Sequence, residues 1–345
     1  MKNIKKQLYL SGLQKLDKIL KPRSCNEITF MMTFSDDIIP VLEAVIQTDK
    51  FIINLLYHPK YESVIEGYQI NKISLSMKES VKQLKAIKSS KVIVIDTYYL
   101  MLGAIDTSHA TVIQTWHAAG ALKQFGLEYR SIQNADSKMI EDYKKVYHAT
   151  DYYLVASHTM ADIFNHSLDA SESQFLYYGL PRLDKYFPIS SENKRLIAYV
   201  PTYRDYQDND YHFDKNILAA EFPDYDIVVK LHPALGQSDH ISIEKIIKES
   251  EYVITDYSSL AIEAALNNKK VIFYSYDEKK YAHLRGLNKF YYKMSQKNKA
   301  YDFETLIHTI KNYEENSIIN EFWNTYNDGH ATERVVQFIQ KEVER

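Results

Sequence analysis

The chain has 345 residues, 45% hydrophobic and 25% charged, enough apolar material for two domain cores and too much for a disordered chain. A single cysteine, Cys25, excludes an internal disulfide framework and any multi-cysteine zinc site, and suits a reducing compartment. The net charge of -3 argues against a general nucleic-acid binder, and neither a membrane span nor a secretory signal can be read in the apolar runs.

The charge is unevenly spread. Residues 1–23 carry Lys2, Lys5, Lys6, Lys15, Lys18, Lys21 and Arg23 against Asp17, a balance of +6, which leaves -9 on the remaining 322 residues. Between the lysines, Ile4, Leu8, Leu13, Leu16, Ile19 and Leu20 recur at near-helical spacing until Pro22. Residues 1–24 are therefore expected to form a basic amphipathic helix that associates with a membrane surface. An ordinary surface helix packed on the body is the competing reading.

Apolar runs then alternate with helical stretches. Strands are expected at 28–33, 51–56, 91–95, 111–115, 152–156, 174–178, 196–200, 227–231, 252–255 and 271–274. Helices are expected at 36–47, 80–88, 157–167 and 259–266. This alternation predicts α/β units with parallel sheets. The stretch 179–194 holds Pro181, Pro188 and a polar run, so one unit is expected over 25–180 and a second over 181–345. Ligands of paired α/β units bind in the cleft at the carboxyl ends of the strands.

Four strand ends carry chemistry-bearing residues. In Thr115-Trp116-His117-Ala118-Ala119-Gly120, a strand delivers His117 to a small-residue turn expected to open a helix, where a neutral imidazole can act as general base. In Lys230-Leu231-His232-Pro233, His232 can donate to a phosphoryl oxygen, with Lys230 adding charge. In Thr255-Asp256-Tyr257-Ser258-Ser259, two hydroxyls precede a helix and either cap it or cradle phosphate, with Glu263 one turn on. Arg182 and Arg204 each follow a proline turn, and both can clamp phosphate or form ion pairs. Asp208-Asn209-Asp210 reads as a solvated loop rather than a metal site. The 29 tyrosines are expected to be mostly packing residues.

The ordered set TWHAAGALKQFG, GLPRLD, VPTYRD, KLHP, TDYSSLAIEAAL and VIFYSYDEKKY resembles the CDP-glycerol glycerophosphotransferase family over roughly residues 26–330. Ala118 and Ala119 stand where that family usually has Gly-Thr, and Glu263 where many of its polymerases have aspartate. The resemblance implies a GT-B fold, two Rossmann-like domains facing a central cleft. It also implies transfer of glycerol phosphate from CDP-glycerol to a hydroxyl of an undecaprenyl-diphosphate-linked disaccharide, with release of CMP. His117 would be the base. His232, Arg182, Ser258 and Ser259 would hold the diphosphate, Asp256 would belong to the donor site, Glu263 would bind ribose, and Arg204 would be a second-rank phosphate ligand.

No cofactor and no protein-bound metal is implied. The expected partners are the lipid-linked acceptor, the cytoplasmic face of the cell membrane and other enzymes of teichoic acid assembly, with no nucleic acid. The small size favours a primase that adds one unit. Alternatives are a CDP-ribitol or poly(glycerol phosphate) polymerase, a nucleotide-sugar transferase, or a non-catalytic nucleotide-binding scaffold of an envelope assembly complex.

Overall fold

Two parallel sheets frame the chain, of which the computed structural model describes residues 2–23 (2–5 as backbone), 26–189, 194–204, 206, 211–231, 239 and 241–345. The first sheet holds β1 Glu27–Met32, β2 Ile52–Tyr57, β3 Asn71–Ser74, β4 Ser90–Ile95, β5 Thr111–Gln114, β6 Tyr152–Leu154 and β7 Phe175–Leu176. Their order is β3-β2-β1-β4-β5-β6-β7, with every pairing parallel. The second holds β8 Leu196–Tyr199, β9 Asp226–Val229, β10 Tyr252–Thr255, β11 Lys270–Tyr274 and β12 Lys299–Ala300, in the parallel order β12-β11-β10-β8-β9.

All ten strands expected from the apolar runs form, with ends shifted by no more than two residues. The pleat explains why the runs are continuous. Ile28, Phe30 and Met32 of β1 join one core cluster while Met31 joins the cluster on the opposite face. In β11, Val271 and Phe273 face one cluster and Ile272 and Tyr274 the other. Helices cover both faces, so apolar residues occupy both faces of such a strand instead of alternating with polar ones. The apolar runs do not reveal β3 and β12, which lie at sheet edges. The exposed or half-buried sequence Asn-Lys-Ile-Ser of β3 has no apolar run, and β12 has only two residues.

The four expected helices form as Ile38–Gln47, Ser80–Ser89, His158–Leu168 and Leu260–Leu266. The N-terminal helix, Lys2–Ile19, docks on the body: Leu13 is fully buried, and Tyr9, Leu10, Leu16 and Leu20 pack with it against Leu84, Ile87 and Leu102. Leu8 and Ile19 are left exposed. The segment 179–194 is not a loose linker along its described length. Pro181–Tyr186 is a 3-10 helix whose Pro181, Leu183 and Tyr186 are buried. The helix Ala331–Glu344, at the end of the span expected for the second unit, buries Val335, Ile339 and Val343 in the core beneath the first sheet. One cluster runs across both units, joining Trp116, Leu122 and Phe164 to Val253, Ile262, Phe273 and Trp323.

In the first sheet the strand order reverses between β1 and β4, and in the second between β8 and β10. Such switch points open a crevice at the carboxyl ends of the strands.

Candidate active site

A cavity of about 610 Å³ lies where these crevices meet. Its first wall is the loop after β5, with Trp116, His117 and the run from Gly120 to Phe125. The opposite wall is Pro201–Tyr203 after β8 and Tyr257–Ser259 after β10, with Arg285 also in the lining. The structure thus brings His117, Ser258 and Ser259 together from opposite units.

His117 is held by its surroundings. Its Nδ1 lies 2.9 Å from the Asp96 carbonyl, which can only accept, so Nδ1 carries the proton. Nε2 is left with its lone pair and no partner among the described residues. Phe34 stacks on the imidazole with ring centroids 4.5 Å apart, and the Asp96 carboxylate fixes that loop by accepting from the Thr33 and Phe34 N–H groups at 2.6 Å. Asp96 therefore positions His117 from both its backbone and its side chain. Burial holds the imidazole below the ordinary histidine value, with the Asp96 bond opposing and the Arg182 charge adding to it. A neutral imidazole with a fixed tautomer is the form a general base requires.

Trp116, just before His117, has φ +67°, a left-handed conformation costly for a bulky residue. Its indole is locked between Phe125 and Phe164, at centroid distances of 4.9 Å each, which supports the strained turn. One expectation fails here. No helix opens at His117, because the chain stays irregular to Phe125 and the next turn is the 3-10 helix Gly126–Glu128. The anion-binding helix terminus expected there is absent. Gly120 explains why small residues occur in this loop, since a Cβ there would fall 2.8 Å from Trp323 Cε3.

Among the expected phosphate ligands, the two serines line the cavity. Ser258 Oγ accepts weakly from the Leu260 N–H at 3.2 Å, and Ser259 occupies the N-cap position of Leu260–Leu266 without a side-chain capping bond. The arginines and acids are arranged otherwise. The Arg204 side chain is 1% exposed and ion-paired with Asp256 and with Asp277, the latter at 2.9 Å. Asp256 also accepts from the Thr202 and Tyr257 N–H groups, tying the loops after β8 and β10 together. Arg204 and Asp256 thus form the floor under the site, with the guanidinium carbon 5.2 Å from the Tyr257 ring centre.

Arg182 is likewise committed: it pairs with Asp36 at 2.9 Å, Asp37 at 3.4 Å and Glu263 at 3.2 Å, and donates to the His117 carbonyl at 2.9 Å. Glu263 is buried, accepts from the Tyr186 hydroxyl at 3.0 Å, and does not line the cavity. His232 and the Asp208–Asp210 run lie outside the described residues.

Sequence reasoning missed Lys123. It lines the cavity, has no ion pair among the described residues, and its ammonium lies 5.5 Å from the Tyr281 ring centre. It stands six residues after His117 in the same loop, the one signal that could have marked it.

Residues 33–341 match the family described as CDP-Glycerol:Poly(glycerophosphate) glycerophosphotransferase. The teichoic acid glycerol-phosphate primase of Staphylococcus aureus (strain NCTC 8325 / PS 47) is 37% identical, the alignment covering 98% of each chain. The teichoic acid glycerol-phosphate primase of Bacillus subtilis (strain 168) is 31% identical over 96% of each. Among solved structures, the wall teichoic acid polymerase TagF superposes with a TM-score of 0.74 at 18% identity, covering 99% of this chain and 95% of that one. Two parallel-sheet units around a shared cleft, a full-length sequence match and this superposition agree: the chain belongs to the CDP-glycerol:poly(glycerophosphate) glycerophosphotransferase family and is a transferase with the GT-B fold.

Proposed function

We propose that this transferase is a primase of teichoic acid assembly. It moves one glycerol phosphate from CDP-glycerol to a hydroxyl of an undecaprenyl-diphosphate-linked disaccharide at the cytoplasmic membrane surface. The observation that carries this reading is His117, which lines the same cavity as Ser258 and Ser259 and whose fixed tautomer leaves Nε2 without a partner among the described residues. The full-length similarity to two proteins named as glycerol-phosphate primases supports one unit rather than a chain.

In the reaction, the acceptor oxygen bonds to the β-phosphorus and its proton passes to His117 Nε2. The bond from that phosphorus to the bridging oxygen breaks, and CMP leaves with the electron pair. Ser258 and Ser259 donate to the diphosphate, and the loop geometry they need is set by the Arg204–Asp256 pair beneath them. His232 remains a proposed ligand of the leaving phosphate.

Membrane contact is proposed at the N-terminal helix, which exposes Leu8 and Ile19; among the described residues no helix is long and apolar enough to cross a membrane.

The test is incubation of purified protein with CDP-glycerol and a lipid-linked disaccharide analogue. Release of CMP and a product heavier by one glycerol phosphate are expected. No CMP release overturns the reading, and a ladder of products replaces primase by polymerase. His117→Ala should lower turnover by about 10²–10⁴-fold while the fold stays intact. An unchanged rate removes His117 as the base.

A further inference from the structure

The donor assigned above carries a diphosphate, and its departing CMP gains negative charge, so the cleft needs a cation that protein carboxylates have not already neutralised. The two arginines that the sequence offered for this work do not meet that requirement. Arg204 is enclosed by Asp256 and Asp277, and Arg182 by Asp36, Asp37 and Glu263. Among the described residues, one lysine of the cavity wall has no carboxylate partner, and it is in the loop that carries His117.

We infer that Lys123 is the cation that binds the phosphates of the cytidine donor, reaching across from the first unit to the serine pair of the second. This inference rests on the glycerophosphotransferase reading and specifies its phosphate subsite. Three features favour it. The backbone of Lys123 is clamped by an antiparallel bridge to Leu287, with the Asn288 N–H donating to the Leu122 carbonyl at 3.0 Å on one side. On the other side the Gln124 N–H donates to the Gly286 carbonyl at 3.3 Å. The main chain from which the lysine stem projects is thereby held in place before substrate arrives, which reduces the ordering cost of binding.

The ammonium also rests over Tyr281, which stacks on Tyr257 with centroids 3.9 Å apart, so its position is fixed without neutralising its charge. Burial pulls the amine below the ordinary lysine value, opposed by Asp256 and reinforced by Arg204 and Arg285. An entering phosphate reverses that penalty, because a neighbouring anion favours the charged form.

Lys123→Met keeps the aliphatic stem over Tyr281 and removes only the charge. Calorimetric titration of the intact wild-type and variant chains with CMP, CDP-glycerol and cytidine separates the subsites. The variant should bind CMP and CDP-glycerol about 10- to 100-fold more weakly, the loss of one charge-assisted hydrogen bond, and cytidine as before. Lys123→Arg, which keeps the charge, should recover part of the CMP affinity and give a second test if the methionine variant fails to fold. CMP affinity equal to wild type in Lys123→Met, or cytidine and CMP weakened in parallel, overturns the inference and leaves the transferase reading standing. Wild-type protein that binds neither CMP nor CDP-glycerol overturns the transferase reading itself.

Discussion

Asp37 shows how local burial can outweigh an adjacent opposite charge. It is 1% exposed and accepts from the Arg182 N–H and guanidinium, yet burial raises its carboxyl to about 7, with the Arg182 charge only partly opposing. A folded-state value above the unfolded 3.8 means the folded chain holds this proton more tightly. The associated stability is fully present below about 3.8 and is lost as pH rises through about 7. Asp37→Asn removes that titration and keeps an oxygen to accept from Arg182. The melting temperature of the variant minus that of wild type should therefore climb between pH 4 and 7 and stay flat above; a difference independent of pH would show that Asp37 is already ionised at the low end. Arg204 argues the opposite way, because Asp256 is fully buried with it and the Asp277 side chain is only 9% exposed. Arg204→Ala strands Asp256 and Asp277 without a cation and should cost about 3–5 kcal/mol in denaturant unfolding. A loss under 1 kcal/mol would mean the pair is not holding the floor of the site.

At the scale of elements, the N-terminal helix divides the two readings that its sequence left open. Leu13, Leu16 and Leu20 turn into the body, so the main apolar stripe is spent on protein packing. Leu8 and Ile19 lie eleven residues apart, about three turns, and so share the outward face. Leu13→Ala should cost about 2–5 kcal/mol of stability. Leu8→Ser with Ile19→Ser should leave the melting temperature unchanged and weaken flotation with anionic vesicles, most at low salt. Flotation equal to wild type would place the membrane contact elsewhere.

The same contrast sets how much was legible in the sequence. Buried parallel strands write continuous apolar runs, so β1, β4, β10 and β11 were readable, while the polar edge strand β3 was not. His117, Ser258 and Ser259 were readable because each follows a strand that ends at the shared cleft. The roles of Arg182, Arg204 and Glu263 were not, because ion pairing depends on which carboxylate folds alongside: Asp36 lies 146 residues from Arg182. Side-chain type and strand position locate such a residue, but only tertiary contact decides whether it meets substrate or another part of the protein.

At the scale of the molecule, catalysis requires the loop of one unit to stay registered against the loops of the other. The bridge between Lys123 and Leu287 provides that register, and Gly286 makes it possible. Gly286 has φ +73° and ψ 139°, a conformation essentially reserved for glycine, and a Cβ there would lie 2.9 Å from Gln124 Cβ and closer still to its Oε1. Gly286→Ala therefore has to strain its own backbone and also push the 121–124 segment away from the second unit. His117 would then move relative to Ser258 and Ser259 while its own fixing contacts to Asp96 and Phe34, all within the first unit, stay intact. A misplacement of about 1 Å can cost 10²-fold in rate, so the expected signature is a large fall in turnover beside a modest fall in melting temperature. Adding Gln124→Ala removes the Oε1 contact but neither the strained φ nor the Cβ contact, so the double variant should recover only part of the lost activity. Turnover of Gly286→Ala equal to wild type would show that the bridge does not set the geometry of the cleft.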